Sequence, residues 1–256
     1  MSPKRPRFLS LVMFLALAQG CGQGGDPGLT AGGLPKPEGY FSTLPPGSTL
    51  PSGAECAGRV RRSSWEPRPE NAQANQTRGH VTGALIDGAS DAFNARIAPK
   101  IDGDFTGTTD EIIQWGACKW GFDEDVVRAV ATVESWWRQS TVGDNGASYG
   151  LLQVRGTVHQ DTFPLSRDST AYNVDYTLAW RRACYEGEFT WMNGAGKQGG
   201  YTKGDEWGCV GAWFSGDWYD GDENVMYSGA RPYIKEVKRR LTERTWTQAD
   251  FVSQPQ

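Results

Sequence analysis

The sequence predicts a mainly α protein with one short β segment, preceded by an irregular arm tied down by disulfides. Three observations carry that expectation. Apolar residues recur at helical spacing between Thr or Asp caps and Gly stops; one Gly/Asn-rich turn interrupts them; and four cysteines follow a fifth at Cys21. A chain of 256 residues suits one mid-sized domain plus tails.

The chain opens on Lys4, Arg5 and Arg7, followed by "FLSLVMFLALA" (8–18). That apolar run is shorter than the ~20 residues a membrane-spanning helix needs, so residues 1–20 are expected to be a removable signal peptide. "ALAQGC" resembles a bacterial lipoprotein signal ending at Cys21, apart from Gln19. The resemblance implies acylation of Cys21 and a membrane-anchored protein of the bacterial envelope. Cleavage after Ala16-Leu17-Ala18 would instead release a secreted protein.

Setting Cys21 aside leaves Cys56, Cys118, Cys184 and Cys209. In an oxidising compartment these read as two disulfides with three possible connectivities, and chain proximity favours Cys56–Cys118 with Cys184–Cys209. Removing residues 1–20 takes away three basic residues, leaving 23 Lys and Arg against 30 Asp and Glu. An acidic balance without a basic patch argues against nucleic acid as a partner. The eleven tryptophans stack on sugar rings as well as they fill cores, and so favour a carbohydrate partner.

Residues 21–53, rich in Gly, Pro and Ser, read as a flexible tether. Residues 54–104 read as the irregular arm, stapled by Cys56, and 105–246 as the compact domain, with 247–256 a tail. "TGTTDEIIQWGACKWG" predicts a Thr-capped helix ending at Gly121. "DEDVVRAVATVESWW" predicts a second, capped by Asp123, with Val126, Val130, Val133 and Trp137 on one face. "VGDNGAS" breaks it, and "YGLLQV" reads as a short buried strand. Residues 169–187 read as an amphipathic helix, "VGAWFSGDW" as a short one, and 231–244 as the closing helix with Pro232 near its start.

Glu134 shares a helix face with Val130 and Ala131. Burial there disfavours the charged carboxylate, and a carboxyl protonated near neutrality can protonate a glycosidic oxygen. The plain alternative is a helix-end glutamate paired with Arg138. His80 and His159 lack a zinc-ligand pattern, no G-x-S-x-G is present, and "DWYDGDEN" (217–224) does not fit a calcium loop. No metal or cofactor is expected.

"ESWWRQSTVGDNGASYGLLQV" resembles the signature of the lysozyme-like superfamily, especially lytic transglycosylases of the soluble (SLT) type. The matching residues are Glu134-Ser135 and, sixteen positions after Glu134, Gly150-Leu151-Leu152-Gln153-Val154. Asn173-Val174 resembles the family's Asn-Ile helix. Ala212, Ser215 and Gly216 stand in its Ala-Tyr-Asn-Ala-Gly motif, and Tyr233-Ile234 in its final Tyr-Val motif. These motifs span roughly 108–242.

The resemblance implies a lysozyme-like fold and cleavage of the β-1,4 bond between MurNAc and GlcNAc in peptidoglycan glycan strands. Glu134 would act first as acid, then as the base that closes a 1,6-anhydro ring. Ser135, Ser148, Gln153, Trp213 and Tyr233 are the expected substrate-binding residues, with Trp136, Trp137 and Trp218 as further stacking candidates. Two departures stand out: Trp213-Phe214 replaces Tyr-Asn, and Ser148 occupies the aspartate position of animal lysozymes. Glycosidases normally use a second carboxylate, about 5–5.5 Å from the first in retaining enzymes and 6.5–9.5 Å in inverting ones. Asp144 is the candidate for a hydrolytic muramidase or chitinase-like alternative. A non-catalytic peptidoglycan-binding lipoprotein is the alternative outside enzymes.

Overall fold

The computed structural model describes residues 28–253. The expected signal peptide, Cys21 and the last three residues lie outside that range. The described chain is mainly helical with one small sheet. Three short helices come first: α1 (Gly53–Ala57), α2 (Ala72–Gln76) and α3 (Asp91–Ile97). Then follow α4 (Thr109–Trp120) and α5 (Glu124–Ser135), and a three-stranded antiparallel meander of β1 (Val142–Gly143), β2 (Ser148–Tyr149) and β3 (Val154–Arg155). The chain continues through α6 (Leu165–Asp168), α7 (Thr170–Glu186), α8 (Glu206–Ser215), α9 (Ala230–Glu243) and α10 (Ala249–Ser253). Disulfides join Cys56 to Cys118 and Cys184 to Cys209. Among the described residues no helix is long and apolar enough to cross a membrane.

Local chemistry sets the ends of the long helices. Thr108 and Glu111 form a reciprocal capping box at the start of α4, and Gly121 ends it in the left-handed region. Asp123 caps α5 by accepting from the backbone N–H of Asp125 and Val126, and Ser169 caps α7 through Tyr172. Around these ends α7 packs on α4, and α9 on α5 and α8.

Several expectations change. Helix α7 is not amphipathic: every residue from Thr170 to Tyr185 is buried, because other elements surround it. "YGLLQV" is not one strand, because residues 150–153 turn between β2 and β3. Residues 54–104 are not merely irregular, nor is the packed unit limited to 105–246. Phe93, Ile97 and Ile101 belong to the same core as α4 and α7. The carboxylate of Asp175, fully buried in α7, accepts from the backbone N–H of Asp102 and Gly103, from Lys119 Nζ and from Trp120 Nε1, at 2.7–2.9 Å. A buried carboxylate needs such donors, so the arm is part of the domain.

The flexible tether does not reach residue 53 either. Phe41 is in the core, donating its backbone N–H to Glu124 Oε2 and accepting at its carbonyl from the Glu124 N–H, and the buried Arg182 guanidinium donates to the carbonyls of Leu44 and Pro45. At the other end α10 buries Phe251 against Trp136 and Trp137, so the expected tail carries a packed helix.

Candidate active site

Helix α5 ends abruptly after Ser135. Trp136 and Trp137 both adopt left-handed backbone conformations, with φ of 56° and 63°. For bulky residues that costs on the order of 1–3 kcal/mol each and needs outside support. Trp137 Nε1 donates to the Arg128 carbonyl (3.0 Å) and Thr132 Oγ1 (3.1 Å), and its own carbonyl accepts from Asn71. Trp136 donates from its indole to the Phe251 carbonyl, while buried Arg68 donates to the Trp136 carbonyl. Trp137 is thus buried in the core, and the half-buried Trp136 packs against it and α10. Trp218 is likewise buried, its ring pressed on Gly208 of α8.

The reversal at 136–137 leaves Glu134 and Ser135 on the last turn of α5, with Ser135 facing the turn at 150–153. Ser135 Oγ donates to the Leu151 carbonyl (2.8 Å) and so ties helix to turn. Asn173 holds the same turn from α7, accepting from Leu152 N–H (2.8 Å) and donating to the Tyr149 carbonyl (2.8 Å). Gln139 accepts from Leu151 N–H. Gly150 sits between these amides at φ 81°, where a Cβ would lie 2.3 Å from Asn173 Nδ2 and 2.5 Å from Gln139 Nε2. Only glycine fits there.

Gln153, half-buried, donates its amide nitrogen to the carbonyls of Gly150 (2.8 Å) and Thr141 (3.2 Å), which makes it a brace within the turn. Ser148 is buried and gives its hydroxyl to Asp144 Oδ2 (2.5 Å), so its expected contact with substrate does not fit its surroundings. Asn173 carried a motif signal in the sequence. Gln139 carried none, because its partners, at 151 and 166–167, meet it only through the fold.

Glu134 is partly buried, and Tyr233 of α9 donates its hydroxyl to Glu134 Oε1. Desolvation pushes the Glu134 carboxyl up to about 8, against the lowering effect of the Tyr233 hydrogen bond, and the Asp144 carboxylate raises it further. Arg138, four residues on, lies 3.4 Å from Glu70. Phe214, 37% exposed, stacks nearly parallel on Tyr233 with ring centroids 4.7 Å apart. Burial and the nearby Glu134 carboxylate hold the Tyr233 hydroxyl well above its ordinary range, so it remains a donor.

Trp213 is half-buried, donates from Nε1 to the Leu152 carbonyl (2.9 Å), and stacks on His159 at 4.9 Å. His159 was visible in the sequence but had no recognisable role there, because stacking on Trp213 is a product of packing. Burial pushes its imidazole down to about 4, leaving it neutral near pH 7. Trp213, Phe214 and His159 line a chamber of about 400 Å³ together with Asp87, Arg155 and Trp191.

A larger hollow of about 700 Å³ lies elsewhere, between residues 30–40 and 244–252. Its Asp110, Glu124, Asp125 and Arg128 side chains are paired with one another, which makes that region a structural ion network. Among the described residues no group of three or more His, Cys, Asp and Glu side chains could hold a metal ion.

The arrangement therefore offers one carboxyl that holds its proton near neutrality and a tyrosine that steadies it, with Phe214, a residue of the aromatic chamber, stacked on that tyrosine. Comparison with protein-family models, curated proteins and solved structures found no match to this chain.

Proposed function

We propose that the protein is a peptidoglycan lytic transglycosylase that cleaves the MurNAc–GlcNAc β-1,4 bond. The observation that carries this reading is the partly buried Glu134 carboxyl, raised to about 8 and hydrogen-bonded by Tyr233. In that state it can protonate the glycosidic oxygen as the bond breaks. The carboxylate left behind is held by the Tyr233 hydroxyl. It then takes the proton of the muramyl 6-hydroxyl, which closes the 1,6-anhydro ring and restores the acid. One carboxyl serves both steps, and the resemblance of the Glu134-Ser135 and Gly150–Val154 segments to SLT-type enzymes supports the same chemistry. The two disulfides fit an oxidising compartment, as export would require.

A second reading has one observation in its favour. The Asp144 carboxylate acts electrostatically on Glu134, so a water activated by Asp144 would give hydrolysis. Its hydrogen bond from Ser148 gives Asp144 a local structural use as well.

Mass spectrometry of products from purified peptidoglycan separates the readings. Sugar ends lighter by one water and resistant to borohydride are expected. Reducible ends would replace the proposal with hydrolysis, and sacculus binding without release would replace it with a binding protein. Glu134→Gln should abolish release, and near-normal turnover by that variant would exclude Glu134 as the acid.

A further inference from the structure

We infer that the face around the 700 Å³ hollow, where the N-terminal segment joins the domain, docks on a lipid bilayer. The inference rests on the reading of Cys21 as an acylated anchor. Seven residue steps separate Cys21 from Gly28. Seven steps of chain reach at most about 25 Å. A domain of this size has a radius of gyration of about 17 Å, so it is broader than that leash. The face on which the leash ends is therefore the one held against the membrane.

The chain is packed from that point on. Leu29 bridges Pro35, and buried Thr30 closes the hairpin between them. Its backbone N–H donates to the Leu34 carbonyl (2.6 Å), and its Oγ1 accepts from the Leu34 N–H (3.1 Å). Gly32 seats the hairpin on the last turn of α9, where a Cβ would stand 3.3 Å from the Leu241 carbonyl oxygen.

Large apolar side chains stand uncovered on this face. Leu34, Trp65 and Val252 of α10 border the hollow, and they are 48%, 40% and 51% exposed. Leu29, 61% exposed, lies across the hairpin from Pro35, which borders the hollow as well. Trp65 is held edge-on against buried Trp137, with ring centroids 5.8 Å apart. The floor of the hollow is balanced in charge, because Arg61, Arg128 and Arg244 pair with Glu124, Asp110 and Asp125. Glu38 and Asp250 are exposed beside it in sequence, so the apolar side chains rather than net charge lead the contact. Leucine, valine and indole groups suit the boundary between headgroups and acyl chains, and the long arginine side chains can reach phosphate. Lipidated proteins bind membranes stably when a second signal adds to the acyl chain, and this face supplies one.

The test uses the chain from residue 22 onward, which keeps every described residue and has no acyl group. It is floated with vesicles of phosphatidylethanolamine containing a minor share of phosphatidylglycerol. Binding is expected, and Leu34→Glu with Val252→Glu should lower the bound fraction several-fold. Met226→Glu with Tyr227→Ser, at an exposed apolar tip elsewhere, should leave it unchanged. The remaining cysteines of this chain are all in disulfides, so Leu34→Cys takes a polarity-sensitive fluorophore at one place. Its emission should shift to the blue on vesicles, and that of Met226→Cys should not. No binding by the unsubstituted chain, or no shift at position 34, would overturn the inference. So would a loss of binding confined to the 226–227 variant. Self-association abolished by the Leu34 and Val252 substitutions, without vesicle binding, would assign the face to a second copy and overturn it too. Mass spectrometry of the full-length protein extracted from bacterial membranes reads the anchor separately. An unmodified Cys21 would overturn the anchor and the inference with it, whereas an acylated Cys21 without vesicle binding by the face would overturn the inference alone.

Discussion

Tyr233 of α9 donates its hydroxyl to the carboxyl of Glu134 at the end of α5, across 99 positions of sequence. Neither residue is unusual for its helix. Their meeting puts a hydrogen-bonded carboxyl in a site where desolvation keeps it protonated.

Removing that hydroxyl should therefore do two things. The hydrogen bond favours the carboxylate, so Tyr233→Phe is expected to move Glu134 further above about 8 and carry the alkaline limb of the pH–activity profile upward. Hydrogen bonds to charged groups are worth about 1.5–3 kcal/mol, which corresponds to roughly one to two decades of turnover. A pH profile of muropeptide release checks both. An unmoved alkaline limb would mean that Glu134 does not set it.

Glu134 also links pH to stability. Its folded value of about 8 lies above the ordinary 4.5, so the folded protein holds a proton that the unfolded chain has released between those values. Stability from this group is complete below pH 4.5 and is lost as pH rises to about 8. Glu134→Gln has no proton to lose. Its melting temperature relative to wild type is expected to climb across that window and level off above it. A constant difference would show that the carboxyl titrates normally.

Gly150→Ala is expected to destabilise the protein by about 3 kcal/mol or more, from left-handed strain added to overpacking. The new Cβ would meet Asn173 and Gln139, the two amides that hold the turn. Urea unfolding measures the loss. A change below about 1 kcal/mol would mean that the turn yields easily, since overpacking a well-packed site typically costs 1–3 kcal/mol.

A chain beginning at residue 105 is expected not to fold, whereas one beginning near residue 40 should keep native near-ultraviolet circular dichroism. The shorter chain loses Cys56, the Phe93, Ile97 and Ile101 side chains, and two backbone donors to buried Asp175. Cooperative unfolding of the 105–256 chain would restore the domain boundary read from the sequence.

Short-range features were legible in the sequence itself. Thr108, Asp123 and Ser169 cap helices because a side-chain oxygen reaches a backbone N–H two or three residues away. Glu134 stood out as an acid among apolar neighbours for the same local reason. Tertiary structure decided what lies far apart in the chain. Trp136 and Trp137 continue the helical pattern of α5, yet Arg68, Asn71 and Phe251 turn them into the core. Residues 40–104 carry no sustained periodicity, so only contact with α4 and α7 reveals them as core. The protonation of Glu134 depends on desolvation by its surroundings and on charges and donors delivered by other elements. A local pattern states which face a residue occupies; only packing states what covers it.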